Sequence, residues 1–224
     1  ENVELSIQAA VLSPGVPTDI PLVNRMRDRG VQILGEIELG FLAEQGRVIA
    51  ITGTNGKTTT TTLTGEIMKA HFGKDKTFVV GNIGNPYTLE ADKTSKDSVT
   101  VGEISSFQLE TIHTFHPVVS AILNITPDHL NRHHTMEAYV AAKEAVASQQ
   151  TKADICVLNY DNDYTRDFAG RCPATPVLFS SHQELENGYF LRGDKIIKSV
   201  NGEEHELMDI HKDMNLVGLC NVEN

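Results

Sequence analysis

The 224-residue chain has no tryptophan, and aromatic residues of every kind make up only 6% of it, so its core has to be built mainly from aliphatic side chains. Positive charge is scarce as well. Nineteen Lys and Arg stand against thirty Asp and Glu, a formal charge of -11 whose field repels nucleic acid and anionic lipid. No apolar run approaches the ~20 residues that span a bilayer, which excludes an inserted helix and leads us to expect a soluble protein. The three cysteines, Cys156, Cys172 and Cys220, form no C-x-x-C pair and leave one over in any pairing. That pattern, without a charged and apolar leader, points to a reducing compartment, and the cytoplasm is the expected location.

What remains is ordinary globular composition, 40% apolar and 22% charged, long enough for about one and a half domains. The chain opens at Glu1 without a Met and stops at Asn224 in a polar stretch with no terminating element, so a piece of a longer polypeptide is expected. The first forty residues read as half of a nucleotide-type α/β domain: an apolar run Ala9 to Leu12, a Ser13-Pro14-Gly15 turn, and a helix with Asp19 as cap, Pro21 in its first turn and Gly30 as stop. A strand from Val31 to Leu34 follows.

From Arg47, apolar runs of strand length alternate with segments of helical period. Strands are expected at Val48 to Ile51, Thr77 to Val80, Val99 to Val101, Val118 to Ile125, Ile155 to Leu158 and Pro176 to Phe179. Helices are expected at Thr58 to Phe72, Phe107 to Thr114, Met136 to Gln150 and Tyr164 to Gly170. The alternation implies an α/β fold with a mostly parallel central sheet and helices on both faces. Between Gly188 and Met208, hairpin signals at Gly193-Asp194 and Asn201-Gly202 add a small antiparallel β piece.

Gly53-Thr54-Asn55-Gly56-Lys57-Thr58 lies between a strand and a segment that can be helical, the position of a phosphate-binding loop. There, backbone amides and a helix N-terminus cradle phosphate oxygens, Lys57 supplies a mobile charge, and the Thr58 hydroxyl is placed for Mg²⁺. Two features argue for a plain turn and strand instead. Ile51 stands where the full Walker pattern has its first glycine, and Thr58 to Thr62 are five β-branched residues in a row.

Ligands of open α/β sheets bind beyond the carboxyl ends of the strands. Four such ends would align Lys57, Asn82, Glu103 and His129 on one rim, although each alone also reads as a turn, loop or cap residue. Asp128 could cap a helix, and Ser105 with Gln108 forms a capping box that needs no ligand yet would start a helix at the same rim. His129 and His133 are spaced four apart, but no third soft ligand stands near enough for zinc. In the helix from Met136 the stripe Met136, Tyr139, Val140, Val146 includes Lys143. Its amine is then either desolvated, with a lowered pKa, or snorkelling to water.

The stretches SPGVP from Ser13, GEIEL from Gly35, GTNGKTTTTTL from Gly53, GNIG from Gly81, EISSFQLETI from Glu103, NITPDHLNRH from Asn124, TMEAYVAAK from Thr135 and the final NVEN occur in one order along nearly the whole chain. In this the chain resembles the ATP-dependent Mur ligases of peptidoglycan synthesis, and GNIG followed by E-x-S-S-F-Q-L-E is particular to the branch that adds D-glutamate. The resemblance implies a split into residues 1–46, the end of a Rossmann-like domain for a UDP substrate, and residues 47–224, a P-loop central domain for ATP. It implies that Gly53, Thr54, Asn55, Gly56, Lys57, Thr58 and Thr59 hold the phosphates and that Asn221 and Asn224 reach the adenine. Ser13, Pro14, Gly15, Asn82, Ser105, Gln108 and His129 would face the UDP-muramoyl substrate. Of two Mg²⁺ ions, one would be held by Thr58 and Glu103, and the other by His129 and a carbamylated Lys143. Lys57, His129 and Lys143 would be catalytic, and a monomer is expected. Cys220, Asn131 and Asn162 depart from the residues usual in the family. A sister ligase adding another amino acid, a nucleotide-binding module without ligase activity, and a regulatory GTPase stay open, the last without any N-K-x-D motif to support it.

Overall fold

The computed structural model describes residues 7–215 and 218–224. A small parallel pair comes first: β1 (Ala9–Leu12), α1 (Pro21–Asp28) and β2 (Gln32–Gly35), with Val23, Val31 and Ile33 as its core. Pro21 occupies the first turn of α1, where its missing N–H is not needed, and Gly30 takes the positive φ of 76° that ends it. Asp19 does not cap this helix. The cap position is Ile20, and the Asp19 carbonyl instead accepts a hydrogen bond from the Asn24 side chain.

Next come α2 (Glu36–Ala43), β3 (Arg47–Thr52), α3 (Lys57–Phe72), β4 (Thr77–Gly81), α4 (Tyr87–Glu90), β5 (Val99–Glu103) and α5 (Ser106–Leu109). They are followed by β6 (Val119–Ile122), α6 (Leu130–His133), α7 (Met136–Glu144), β7 (Ile155–Asn159), α8 (Asp163–Ala169) and β8 (Thr175–Ser180). The chain closes with β9 (Gly188–Arg192), β10 (Lys195–Val200), β11 (Glu203–Asp209) and α9 (Leu219–Glu223). The sheet order is β11-β10-β9-β8-β7-β6-β3-β5-β4, parallel from β4 across to β9 and antiparallel from β9 to β11. The hairpin piece is therefore not separate. Phe179 and Ser180 pair with Tyr189 and Phe190, so it extends the central sheet.

Side chains alternate across the sheet as a period of two requires. Val48 and Ala50 of β3, with Cys156 and Leu158 of β7, join Ile37, Tyr139, Val146 and Phe168 in the larger core, whereas Ile51, Ala121 and Val101 face Met68 of α3. Ile37 places α2 in that larger core. Beyond α3 the second face is an open groove of about 370 Å³ lined by residues such as Val157, Phe179 and Ile196. No helix of the described residues is long and apolar enough to cross a membrane.

Several elements differ from expectation: α2 is not among the expected helices, and α7 ends as an α-helix at Glu144 rather than Gln150. Helix α5 stops at Leu109 rather than Thr114, because the amides of His113, Thr114 and Phe115 are given to the buried Glu38 carboxylate of α2 instead of to a helix. The ladder of β6 ends at Ile122, since Asn124 turns to bind Asn55. The polar end of the chain is helical, as α9.

Candidate active site

The order of strands places the switch point of the sheet between β3 and β6, since the chain leaves β3 toward β4 on one side and leaves β6 toward β7 on the other. Clefts open at such points, and the loop after β3 sits there. Gly53 has φ 150° and Gly56 φ 83°, conformations that carry the chain tightly from β3 into α3, with Gly56 at the helix cap. The five threonines at Thr58 to Thr62 are helical, their propensity overridden by packing: Thr61 is buried and the Thr60 hydroxyl donates to the Gly56 carbonyl.

The loop is braced from β6. Thr54 N–H donates to the Asn124 carbonyl at 2.9 Å, Asn55 N–H donates to Asn124 Oδ1 at 2.8 Å, and Asn124 Nδ2 returns a bond to the Asn55 carbonyl at 3.1 Å. The Thr54 hydroxyl lies 3.1 Å from the Tyr139 hydroxyl and accepts from Thr126 N–H. Lys57 Nζ folds back onto the Thr54 carbonyl at 2.9 Å. Asn124 and Tyr139 are supports that sequence reasoning does not find. Asn124 opens the N-x-T-P-D-H run, and Tyr139 shares the α7 stripe with Lys143, but neither shows its partner in sequence.

Glu103 ends β5 fully buried. It accepts from Thr58 Oγ1 at 2.8 Å with one oxygen and from Asn82 Nδ2 at 2.8 Å with the other, so three strand ends meet at one carboxylate. Two adjacent hard oxygen donors, Thr58 Oγ1 and Glu103, suit a magnesium ion, which takes one or two protein oxygens and completes its shell with water and phosphate. No cluster of three or more His, Cys, Asp or Glu able to hold a metal exists among the described residues, so such an ion would need those outside ligands.

Lys143 is 2% exposed, and its Nζ donates to the Gly53 carbonyl at 2.6 Å, 4.8 Å from the centre of the Tyr139 ring. Burial, with the positive Lys57 nearby, pushes its pKa down to about 7 against the opposing pull of Asp128. The amine is thus desolvated, not snorkelling. His129 caps α6 in a left-handed conformation, φ 52°, uncommon for a residue with a Cβ and costing about 1 kcal/mol. Asp128 does not cap that helix through its side chain. Its carboxylate holds the His129 N–H at 2.8 Å and stands 3.4 Å from the His129 ring. The His129 ring lies beside Phe107, centroids 4.9 Å apart. His133, four residues on, is committed elsewhere, with Nε2 2.9 Å from Ser106 Oγ.

Ser105 and Gln108 make the full capping box of α5, Gln108 N–H donating to Ser105 Oγ at 3.3 Å and Ser105 N–H to Gln108 Oε1 at 2.8 Å. Ser13 and Pro14 line a small cleft with Phe107 and Gln108, joining the first unit to this rim, whereas Gly15 is not among its lining residues. On the other side of the loop, Asn55, Gly56, Thr59, Cys220, Asn221 and Asn224 line an open cleft of about 500 Å³. Asn224 Nδ2 donates to Asn221 Oδ1, and a Cβ at Gly56 would collide with the Asn224 side chain. Of the sequence-predicted residues, Thr58, Asn82 and Glu103 thus meet at one carboxylate, and Lys143 reaches the phosphate loop at Gly53; Asn55, Gly56, Thr59, Asn221 and Asn224 share one cleft, and Ser13, Pro14 and Gln108 share another.

Comparison with known proteins agrees with this architecture. Residues 51–224 match the family model described as the Mur ligase middle domain. The UDP-N-acetylmuramoylalanine--D-glutamate ligase of Lachnospira eligens is 55% identical over 218 residues, covering 97% of this chain and 48% of that protein. The enzyme of the same name from Lachnoclostridium phytofermentans is 54% identical, with 97% and 47% covered. The chain therefore spans about half the length of these curated relatives. Among solved structures, the MurF ligase of Thermotoga maritima in complex with ADP shares the fold with a TM-score of 0.54 at 16% identity, covering 98% of this chain and 61% of that one. With its parallel sheet, its phosphate-type loop and a family match over most of its length, the chain belongs to the Mur ligase family.

Proposed function

We propose that the protein to which this chain belongs is an ATP-dependent ligase of peptidoglycan precursor synthesis that joins D-glutamate to UDP-N-acetylmuramoyl-L-alanine. The observation that carries the reading is the Glu103 junction, where Thr58 from the phosphate loop and Asn82 from the next strand end meet one buried carboxylate. The names of the relatives, at 54–55% identity, support D-glutamate as the incoming amino acid. The division into residues 1–46 and 47–224 is supported by one sheet in each, whereas α2, which falls in the first stretch, packs into the core of the second.

In this reading the amides of Gly53 to Thr59 and the Lys57 amine bind the ATP phosphates, and Asn221 and Asn224 line the base side. Thr58 and Glu103 would hold one Mg²⁺ and His129, with a carbamylated Lys143, the other; bound there, such ions would supply neutralising charge for the transferring phosphoryl group. Ser105, Gln108, Asn82 and His129 orient the substrate carboxylate, whose oxygen attacks the γ-phosphorus in line and expels ADP. The amine of D-glutamate then attacks the acyl carbon of the acyl phosphate and releases inorganic phosphate. Lys57, freed from the Thr54 carbonyl, follows the phosphoryl group. Lys143 takes up CO₂ only as the neutral amine, losing one proton, and a pKa of about 7 keeps that form populated near neutrality. The cytoplasmic and monomeric readings fit a small-molecule enzyme of this kind.

Lys57→Ala, in the chain completed to the length of its relatives, is expected to lower ATP turnover by about 10²–10³-fold, the size of effect that losing one donor to a developing transition-state charge produces. Phosphate release in the presence of both substrates is the measurement, and near-normal release would refute the phosphate assignment.

A further inference from the structure

The Ser13–Val16 turn belongs to the small sheet and the α5 cap to the large one, yet both line the same cleft. One guanidinium ties them together. Arg132 of α6 donates to both Glu110 oxygens, from Nη2 to Oε2 at 2.7 Å and from Nε to Oε1 at 3.2 Å, and Nη2 also donates to the Val16 carbonyl at 3.1 Å. Its Cζ lies over the Phe107 ring, 5.1 Å from the centre. The side chains of Arg132 and Glu110 are each 15% exposed, and Glu110 Oε2 also accepts from Thr18 Oγ1 at 3.3 Å. Val16 closes the turn itself, its N–H donating to the Ser13 carbonyl at 2.9 Å.

We propose that Arg132 is a positioning residue, which sets the Ser13–Val16 turn against the Ser105–Gln108 cap and thereby governs affinity for the UDP-linked substrate. The inference rests on the ligase reading above. A guanidinium is planar, so one group grips a carboxylate with two bonds, reaches a third acceptor and stacks on an aromatic face. A lysine ammonium is a point charge on a flexible stem and cannot do all four together. Neither Arg132 nor Glu110 contacts the phosphate loop among the described residues, so the nucleotide side should not respond.

The test is steady-state ligation by the chain completed to the length of its relatives, with the UDP substrate and ATP varied separately, for wild type, Arg132→Lys, Glu110→Gln and the double variant. For Arg132→Lys we expect the KM for the UDP substrate to rise at least tenfold, with kcat and the KM for ATP within threefold of wild type. Glu110→Gln should raise the same KM by less, and the double variant should be no worse than Arg132→Lys alone, because both act through one contact. A KM for the UDP substrate within twofold of wild type overturns the proposal, as does a loss shared equally by kcat and both KM values. If Arg132→Lys does not fold, Glu110→Gln decides by the same split. A wild type that ligates normally beside an unmoved Arg132→Lys refutes the positioning role alone, whereas a wild type that binds ATP but joins no amino acid refutes the ligase reading and this inference with it.

Discussion

Burying the Lys143 amine costs the folded state whenever that amine is charged. With a folded pKa of about 7 against an ordinary lysine value of 10.5, the unfolded chain holds a proton across that window which the folded chain has released. Stability therefore rises with pH between about 7 and 10.5 and is flat in this respect below 7, where both states are protonated and the penalty is fully present. Lys143→Met keeps the length and removes the charge. It should be more stable than wild type at pH 6.5, by several kcal/mol on the order of 1.4 per pKa unit, and its advantage should shrink steadily toward pH 9.5. Urea midpoints of the two proteins at both pH values, in buffer free of CO₂, provide the comparison. An advantage equal at both pH values would mean that Lys143 is charged in the fold or in contact with water.

At the scale of elements, contacts between sequence neighbours were readable and contacts that close long loops were not. The phosphate loop, the α7 stripe and the capping box declare themselves because glycine spacing, helical period and an i to i+3 pair are local facts. The end of α5 does not, since it is decided by Glu38, about 75 positions upstream. Helix α2 itself escapes the sequence because Ile37, Leu39, Phe41 and Leu42 leave it apolar on most sides, which erases the period that marks a surface helix. The roles of Asn124 and Tyr139 were hidden for the same reason as Glu38: each partner is far away in the chain. Glu38 also yields a prediction. Its carboxylate accepts from the amides of His113, Thr114 and Phe115 and from the Thr114 hydroxyl. Glu38→Gln is nearly isosteric but replaces an acceptor oxygen by an NH₂ facing donors, leaving buried groups unpaired. A loss of roughly 3 kcal/mol in urea unfolding is expected, in line with charge-assisted bonds that lose one partner. A change below about 0.5 kcal/mol, the size of an ordinary surface substitution, would mean that these amides find other acceptors.

For the molecule as a whole, a charge of -11 sets a problem that only local groups can solve, because its general field repels a triphosphate. In the proposed reading the remedy is local: the amides of the β3–α3 turn, the start of a 16-residue helix and Lys57 would converge on the phosphates, with Glu103 beside them as the cation ligand. Because that convergence exists only in the folded chain, nucleotide with Mg²⁺ should bind the folded state alone and raise the unfolding temperature. At a hundredfold excess over Kd the gain is about 2.7 kcal/mol, which for a chain of this length corresponds to a shift of roughly 5–10 °C. ATP should give this shift and GTP at the same concentration far less, since no N-K-x-D segment is present to read guanine. The shift should collapse without Mg²⁺, because the acidic Glu103 would then face the γ-phosphate with nothing between them. An equal response to both nucleotides would contradict an adenine side built on Asn221 and Asn224. A response indifferent to Mg²⁺ would contradict the pairing of Thr58 and Glu103 as its ligands, and would leave the buried carboxylate at the end of β5 without a cation to justify it.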